Sequence, residues 1–400
     1  MSSTQSRSAE TAKSPPRLGE TTGSDHYEAL PMTDGGSQQT PLTYMRQLDG
    51  LRAIAVALVC IGHWVPPTAL HQLVRLVPWG ALGVHLFFVL SGYLITSILL
   101  RCRAALPGLP RRRAILAFYA RRFLRIFPAY YALLGLLYVL DVTSLRRTVW
   151  WHALYLSNIY LSLDPKLPGR LHHFWSLASE EQFYLCLPWV MLLCPAPSLP
   201  GVIVLIPVAG FLARLSLLCL GVDGESIWLS PLVSCDTLSC GSMLAWRAWR
   251  SRGQTTERFE RLLPWVGAMG LTSIAVLNLI NLVGWFNPMV LLGPTSLGLF
   301  GTWFVWRAAS GFEGVLGTLL QSPPVVYLGR ISYGLYLFHN FAPPTYEWLV
   351  RALGLPTIFG FWWLRLPIFF AMTLSAAALS WRYFEKPLLD LKRFLPYAET

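Results

Sequence analysis

An arginine and a histidine stand eleven residues apart in an otherwise apolar stretch, and they are the first candidates for chemistry in this chain. Arg52 and His63 flank ten residues that are all apolar or small. Eleven residues make close to three turns of an α-helix, so both side chains face the same way, about 16 Å apart along the axis. Ionisable side chains are costly inside a membrane and usually mark a site or a pathway there. We therefore expect Arg52 and His63 to belong to a functional site.

A histidine in this position is suited to act as a general base, because its ordinary pKa lies near working pH. It would remove the proton of a hydroxyl group, while a neighbouring carboxylate orients the imidazole. Glu180, Glu181 and Asp49 are the candidates for that carboxylate. Asp49 stands three residues before Arg52, so an ion pair between these two is the simpler interpretation. The alternative for His63, a polar side chain hydrogen-bonded inside the bundle, stays open.

Two further sets of residues are candidates for binding substrates. Arg122 and Arg125 suit bidentate contacts with the phosphates of a donor, although membrane topology and anionic lipid explain them equally well. His85, His173 and Trp175 are candidates for an acceptor site, and a structural hydrogen bond is the alternative for each histidine. The seven cysteines are scattered and no pair has zinc-site spacing, so we expect neither a disulfide framework nor a bound metal.

Membrane-spanning helices are the elements predicted to position these residues. The chain of 400 residues is 54% hydrophobic and only 13% charged, whereas a soluble domain carries about 25% charged residues. The apolar residues form long runs, which is typical of a polytopic helical bundle. We predict an all-α membrane protein with about ten transmembrane helices. They are expected near residues 51–66, 79–100, 124–141, 174–194, 201–220, 227–246, 264–284, 287–307, 331–350 and 358–381.

The basic residues indicate how the bundle is oriented. They cluster between apolar runs, which explains the net charge of +12 without nucleic acid and marks cytoplasmic loops. The clusters lie at residues 101–125, 247–261 and 382–393. All three fall on one side, with both termini cytoplasmic, if residues 149–163 form a re-entrant or interfacial helix instead of a span. Arg52 then lies at the cytoplasmic end of the first span and His63 toward its outer end.

The remaining segments and missing motifs bound the architecture and the chemistry. Residues 1–42 are polar and are predicted to be a disordered tail, with a membrane domain over 43–395. The tail is not expected to be a signal peptide, because no apolar segment follows a basic start, and no hydrolase-like domain is expected after the last span. The chain has no phosphate-binding loop, Gly-x-Ser-x-Gly elbow or His-Glu-x-x-His motif, which argues against an ATP-driven pump, a conventional serine hydrolase and a zinc protease.

Several motifs in order give the chain a family resemblance that covers roughly residues 43–395. They are LDGLRAIAV at 48–56 with His63, GVHLFFVLSGYLI at 83–95, FYARRFLRIFPAY at 118–130, HFWSL at 173–177 with EEQFYL at 180–185, SYGLYLFH at 332–339 and FEKP at 384–387. The chain resembles the acyltransferase-3 family of integral membrane O-acyltransferases. It departs from a common family form at His85, where many members carry Asp.

The resemblance implies transfer of an acyl group, usually acetyl, from cytoplasmic acyl-CoA to a hydroxyl of a carbohydrate or a glycosylated small molecule. His63 would be catalytic, Glu180 and Glu181 would support it, and the remaining family residues, Arg52, Arg122 and Arg125, would bind the donor. Acyl-CoA is then a co-substrate with no tightly bound cofactor, in a cell membrane whose lipids contact the bundle. A transporter or flippase of a glycan or lipid is the main alternative, and a homo-oligomer is left open. Many transporters show paired broken helices or repeated halves; the motifs of this chain are not duplicated and no repeat is visible.

Overall fold

The computed structural model describes most of the predicted membrane domain. The described residues are 45–66, 77–106, 110–142, 145–164, 171–251, 256–283, 288–354 and 361–395. The predicted tail, residues 1–42, lies outside them. Across these ranges the regular structure is helical and contains no strand, in agreement with the predicted all-α class.

Seventeen α-helices occur in the described ranges. In chain order they are α1 (Arg46–Trp64), α2 (Trp79–Ala104), α3 (Arg111–Val139), α4 (Leu145–Ala153), α5 (Ser157–Leu163), α6 (Phe174–Leu193), α7 (Leu199–Cys219), α8 (Gly224–Leu229), α9 (Pro231–Arg250), α10 (Glu257–Val283), α11 (Met289–Ser310), α12 (Gly314–Gln321), α13 (Pro323–Arg330), α14 (Ser332–Phe338), α15 (Ala342–Ala352), α16 (Trp362–Ser380) and α17 (Lys386–Asp390).

Six helices of the described chain are both long and apolar enough to cross a membrane, so the predicted count of about ten spans is not confirmed. These six coincide with predicted spans. They are Trp79–Ala104, Arg111–Val139, Ala196–Cys219, Glu257–Asn281, Met289–Ser310 and Trp363–Phe394. The other four predicted spans form α1, α6, α9 and the broken pair α14 and α15. They are shorter or carry more polar residues, and most of the candidate site residues lie on them.

The ambiguous segment at 149–163 does not form one continuous helix. The chain is divided there between α4, with nine residues, and α5, with seven. Tyr155 lies between the two helices and has a φ of 54°, a left-handed conformation that ends a right-handed helix. Neither piece reaches the roughly 20 residues that a span needs.

Close backbone contact joins α2 to α9 at the centre of the bundle. A Cβ on Gly92 would lie 1.9 Å from the carbonyl oxygen of Leu238, and one on Gly241 would lie 2.0 Å from that of Val89. Small residues permit this approach, which is a common way for helices to associate in a membrane. Glycine is therefore required at both positions, and α2 and α9 form a rigid pair.

Prolines lie just after α1, which carries His63, and at the start of α15, which follows His339. Pro66 follows α1 closely, and proline cannot continue a helix, so α1 ends at Trp64 and His63 lies in its last turn. Pro343 and Pro344 occupy the first turn of α15, where proline is tolerated. The break before α15 is a 3-10 turn, His339–Phe341, which separates His339 from a regular helix on its carboxyl side.

Candidate active site

The imidazole of His63 is held by its own helix. Its Nδ1 lies 2.9 Å from the carbonyl oxygen of Val59, one turn earlier. A carbonyl only accepts hydrogen bonds, so Nδ1 carries the hydrogen and Nε2 keeps a lone pair. The side chain is exposed. The orienting group is thus a backbone carbonyl and, among the described residues, no carboxylate is bonded to His63, which differs from the predicted arrangement.

Two more histidines form a row with His63, in which His339 is the middle ring. The ring centroid of His339 lies 4.9 Å from that of His63 and 5.0 Å from that of His173. His339 and His173 are buried, whereas His63 forms the exposed member of the cluster. Sequence reasoning proposed His63 and His173 but did not select His339. The available signal was a lone histidine ending the apolar motif at 332–339.

Each buried histidine has one nitrogen fixed by a backbone carbonyl. Nε2 of His173 donates to the carbonyl of Leu337 at 3.3 Å, and its Nδ1 accepts from the side-chain amide of Asn340 at 3.0 Å. Nδ1 of His339 donates to the carbonyl of Tyr336 at 2.6 Å. Its Nε2 is buried and has no hydrogen-bond partner within the described part of the chain.

A pair of polar residues, His172 and Glu225, lies near this cluster. Nε2 of His172 is 3.9 Å from a carboxylate oxygen of Glu225 on α8. Partial burial lowers the pKa of His172 below its ordinary value; Glu225 opposes this shift, and His63 adds to it. Burial therefore favours the neutral form of the His172 imidazole.

A row of polar side chains runs down α6 from the histidine cluster. Ser176, Glu180 and Tyr184 recur every four residues and so share one face of the helix. The Ser176 hydroxyl is hydrogen-bonded to that of Tyr336. One carboxylate oxygen of Glu180 accepts from both the Ser91 hydroxyl of α2 and the Tyr184 hydroxyl. From Ser176 to Tyr184 the row extends about 12 Å.

Arg122 of α3 lies beside Tyr184, at the end of this row that is farther from the histidine cluster. Its guanidinium carbon is 5.4 Å from the centroid of the Tyr184 ring and 5.8 Å from that of Phe118. Glu180 and Arg122 are the charged groups that interact with the half-buried Glu181. No ion pair within 4 Å occupies Arg122 among the described residues, so its charge-bearing group is available to an anion.

The other two predicted donor-binding arginines are engaged within the bundle. Arg52 donates to Asp49 at 2.9 Å, which is the ion pair that the three-residue spacing predicts. Arg125 interacts electrostatically with Glu385, and Glu385 also accepts from the Ser380 hydroxyl at 2.7 Å. The two arginines therefore have carboxylates as neighbours.

His85 and Trp175 have partners of their own inside the bundle. Nδ1 of His85 lies 2.9 Å from the Thr237 hydroxyl of α9, next to a buried ion pair between Arg214 and Asp236 at 2.7 Å. Trp175 is buried, with its ring against Phe88 at a centroid distance of 6.0 Å. The contact with Thr237 is the structural hydrogen bond that the sequence left open for His85. The Arg214–Asp236 pair was not anticipated.

The geometry of the described residues bears on a metal site, a disulfide and a ligand cleft, and one open cleft lies outside the predicted site. In the ranges the structure describes, no group of three or more His, Cys, Asp or Glu side chains is arranged to hold a metal ion, and all seven cysteines are free. An open cleft of about 550 Å³ lies near the start of α1 and contains none of the predicted site residues. It is lined by Arg46, Phe312, Gly314, Gly317, Thr318, Gln321, Ser322 and Pro323.

A family comparison identifies the class of protein to which this helical bundle belongs. The acyltransferase domain that defines the acyltransferase-3 family matches residues 45–382 of this chain. The chain belongs to this family of membrane acyltransferases, and with six apolar helices of spanning length it is an integral membrane protein.

The similar proteins are bacterial O-acetyltransferases. O-acetyltransferase OatA of Staphylococcus aureus is 28% identical over 319 residues, 74% of this chain. Peptidoglycan O-acetyltransferase OatA of Listeria monocytogenes is 29% identical over 381 residues, 86% of this chain. The match spans only 50% and 56% of these two relatives, so the chain corresponds to about half of their length. No solved structure shows a significant match.

Proposed function

We propose that this protein transfers an acetyl group from cytoplasmic acyl-CoA to a hydroxyl of a carbohydrate acceptor at the outer face of the membrane. Membership of the acyltransferase-3 family and similarity to proteins named O-acetyltransferase support this proposal. The Listeria monocytogenes relative is named for peptidoglycan, and a cell-wall glycan is accordingly the first acceptor to test.

The observation that carries the proposal is the fixed tautomer of His63. Its Nδ1 is bonded to Val59 and the side chain is exposed, so Nε2 keeps the lone pair that a general base needs. In the proposed reaction Nε2 takes the proton of the acceptor hydroxyl while the oxygen attacks the thioester carbonyl. A C–O bond forms, the C–S bond breaks, and the proton passes to the departing thiolate. The products are an ester, free CoA and the original His63.

The donor in this proposal binds at the opposite end of the polar row. Arg122 presents a guanidinium without an ion-pair partner within 4 Å in the described residues, and Arg122 and Arg125 stand three residues apart on α3. We assign Arg52, Arg122 and Arg125 to donor binding, with Arg122 in direct contact and the other two supporting the charge of the region. Glu180 would hold Ser91 and Tyr184 in place along the row.

The test compares wild type with His63→Ala at equal amounts in the membrane. Wild type is expected to add O-acetyl ester to extracted cell-wall glycan, measured by ester release, and His63→Ala to lose activity by a factor of about 100 or more. Equal ester from both would show that His63 is structural. Movement of glycan across the membrane without any ester would favour the transporter alternative.

A further inference from the structure

An accessible carboxylate lies near the histidine cluster, on the short helix α8. The Glu225 side chain is 60% exposed, and in the described ranges its charged contact within 4 Å is with His172, at 3.9 Å. That distance is longer than a hydrogen bond, and partial burial favours the neutral form of His172 by lowering its pKa. The carboxylate of Glu225 is thus not paired with a full positive charge, and both of its oxygens are open to a ligand.

Other residues hold α8 in place, so the Glu225 side chain is not needed for the fold. Oδ1 of Asp223 accepts from the backbone N–H of Glu225 at 3.1 Å and from that of Ser226 at 3.0 Å, which caps the helix. Ile227 and Leu229 are buried and anchor α8 in the bundle. The Glu225 carboxylate is therefore neither a cap nor a core group, although its position is fixed by its neighbours.

His172 connects Glu225 to the proposed base. It directly precedes His173 of the histidine cluster, and His63 is close enough to affect the charge of its imidazole. The side chains of His63, His172 and Glu225 are all at least partly accessible, whereas His173 and His339 are buried. A ligand the size of a short oligosaccharide that contacts His63 can therefore also reach His172 and Glu225.

The chemistry of a carboxylate determines which sugars it binds. An ionised carboxylate only accepts hydrogen bonds, and its two oxygens can take the protons of two neighbouring hydroxyl groups. Such charge-assisted bonds are roughly twice as strong as bonds between neutral groups. A second negative charge at the same place is repelled. Glu225 is therefore suited to a neutral sugar with free hydroxyl groups and unsuited to an acidic one.

Resting on the acyl transfer proposed above, we propose that Glu225 belongs to an acceptor subsite that binds a neutral sugar of the glycan through its hydroxyl groups. His172 supplies a second hydrogen-bonding group beside it. Glu225 holds and orients the acceptor, while the proton transfer stays with His63. Neither Glu225 nor His172 takes part in a covalent step.

The first test measures binding without relying on activity. The full chain in detergent is titrated by calorimetry with chitotetraose, a neutral oligomer of N-acetylglucosamine. Glu225→Ala is expected to weaken binding about tenfold, and Glu225→Gln, which keeps one acceptor oxygen, is expected to weaken it less. Wild-type affinity in Glu225→Ala, or no binding of chitotetraose by the wild type, would overturn the inference.

The matched control is Asp223→Asn. It removes the same charge two residues earlier, and asparagine retains the ability to cap α8. Its affinity for chitotetraose should stay within about twofold of wild type. An equal loss of affinity in Asp223→Asn and Glu225→Gln would mean that the overall charge of α8, and not a contact with Glu225, affects binding, and would overturn the inference.

A comparison of two oligomers tests the class of ligand. Tetragalacturonate has the same number of sugars as chitotetraose, but each carries a carboxylate. Wild type is expected to bind it at least about tenfold more weakly than chitotetraose, because its charge is repelled by Glu225. The ratio of the two affinities should narrow in Glu225→Gln. A ratio that Glu225→Gln leaves unchanged would contradict a contact between Glu225 and the sugar.

Ester formation separates this inference from the proposed function. Glu225→Ala is expected to raise KM for the glycan about tenfold, with kcat and KM for acetyl-CoA within about twofold of wild type. A wild-type KM for the glycan in Glu225→Ala would overturn the role of Glu225 alone. Full activity in His63→Ala would instead overturn the proposed function and leave the binding of chitotetraose unaffected, so the two failures are distinguishable.

Discussion

Backbone carbonyls decide which nitrogen of each clustered histidine is available. For His63 and His339 the carbonyl lies four or three residues earlier in the same stretch of chain, so the free nitrogen is Nε2 in both. For His173 the carbonyl comes from Leu337, far along the sequence. The first two contacts are local and follow from helical geometry. The third requires the folded bundle.

Arg122 gives a prediction at the scale of a single residue. Arg122→Ala is expected to raise KM for acetyl-CoA about tenfold or more with a smaller change in kcat, because it removes a charge-assisted phosphate contact. The measurement is initial rate against acetyl-CoA concentration in membranes. Arg111→Ala, at the exposed start of α3, is the control and should retain the wild-type KM.

The opposite pattern would assign Arg122 a different role. A fall in kcat with an unchanged KM for acetyl-CoA would mean that Arg122 acts through its neighbours Tyr184 and Glu181 instead of through the donor.

At the scale of the helix, polar residues explain a difference in the number of spans. The sequence predicts about ten, whereas six helices of the described chain are long and apolar enough to cross a membrane. α1 carries Arg52 and His63, and α6 carries Glu180 and Glu181. A helix that supplies polar groups to a buried row cannot also be uniformly apolar. Its stability in a membrane depends on neighbours that satisfy those groups, as Ser91 does for Glu180.

The contact between α2 and α9 gives a prediction at this scale. Gly92→Ala and Gly241→Ala each force a methyl group into the backbone of the partner helix, and each is expected to destabilise the bundle by about 1–3 kcal/mol or more. Thermal unfolding in detergent measures the effect as a lower Tm.

Gly135 of α3 is the control for these substitutions. A Cβ there meets no atom within 4 Å, so Gly135→Ala should leave Tm unchanged or raise it slightly, since alanine favours helix by up to about 1 kcal/mol. An equal loss of Tm in all three variants would show that glycine matters for reasons other than the α2–α9 contact.

At the scale of the whole molecule, the basic clusters predict the orientation of the bundle. In a variant that lacks the seven native cysteines, Ser251→Cys is expected to react with an impermeant maleimide only from the cytoplasmic side, because it lies in a basic loop. Glu225→Cys, on α8 beside His172, should react only from the outer side. Labelling of both from one side would contradict the proposed topology.

The sequence alone determined the properties that depend on neighbouring residues. Long apolar runs specify membrane helices, and a spacing of three specifies the ion pair between Asp49 and Arg52. A proline after α1 ends that helix just beyond His63, whereas the break at His339 lies inside a segment, 331–350, that the sequence predicts as one span. These features follow from the backbone and its immediate chemistry, so pattern and spacing were sufficient to predict most of them.

Only the tertiary structure decided which side chains meet. His63 and His339 lie on α1 and just after α14, more than 270 residues apart, and no sequence spacing relates them. His85 contacts Thr237 because α2 packs closely on α9, and Gly92 and Gly241 permit that close packing. Contacts between distant helices depend on packing of the whole bundle, and so the partners of the histidines could not be inferred from the chain alone.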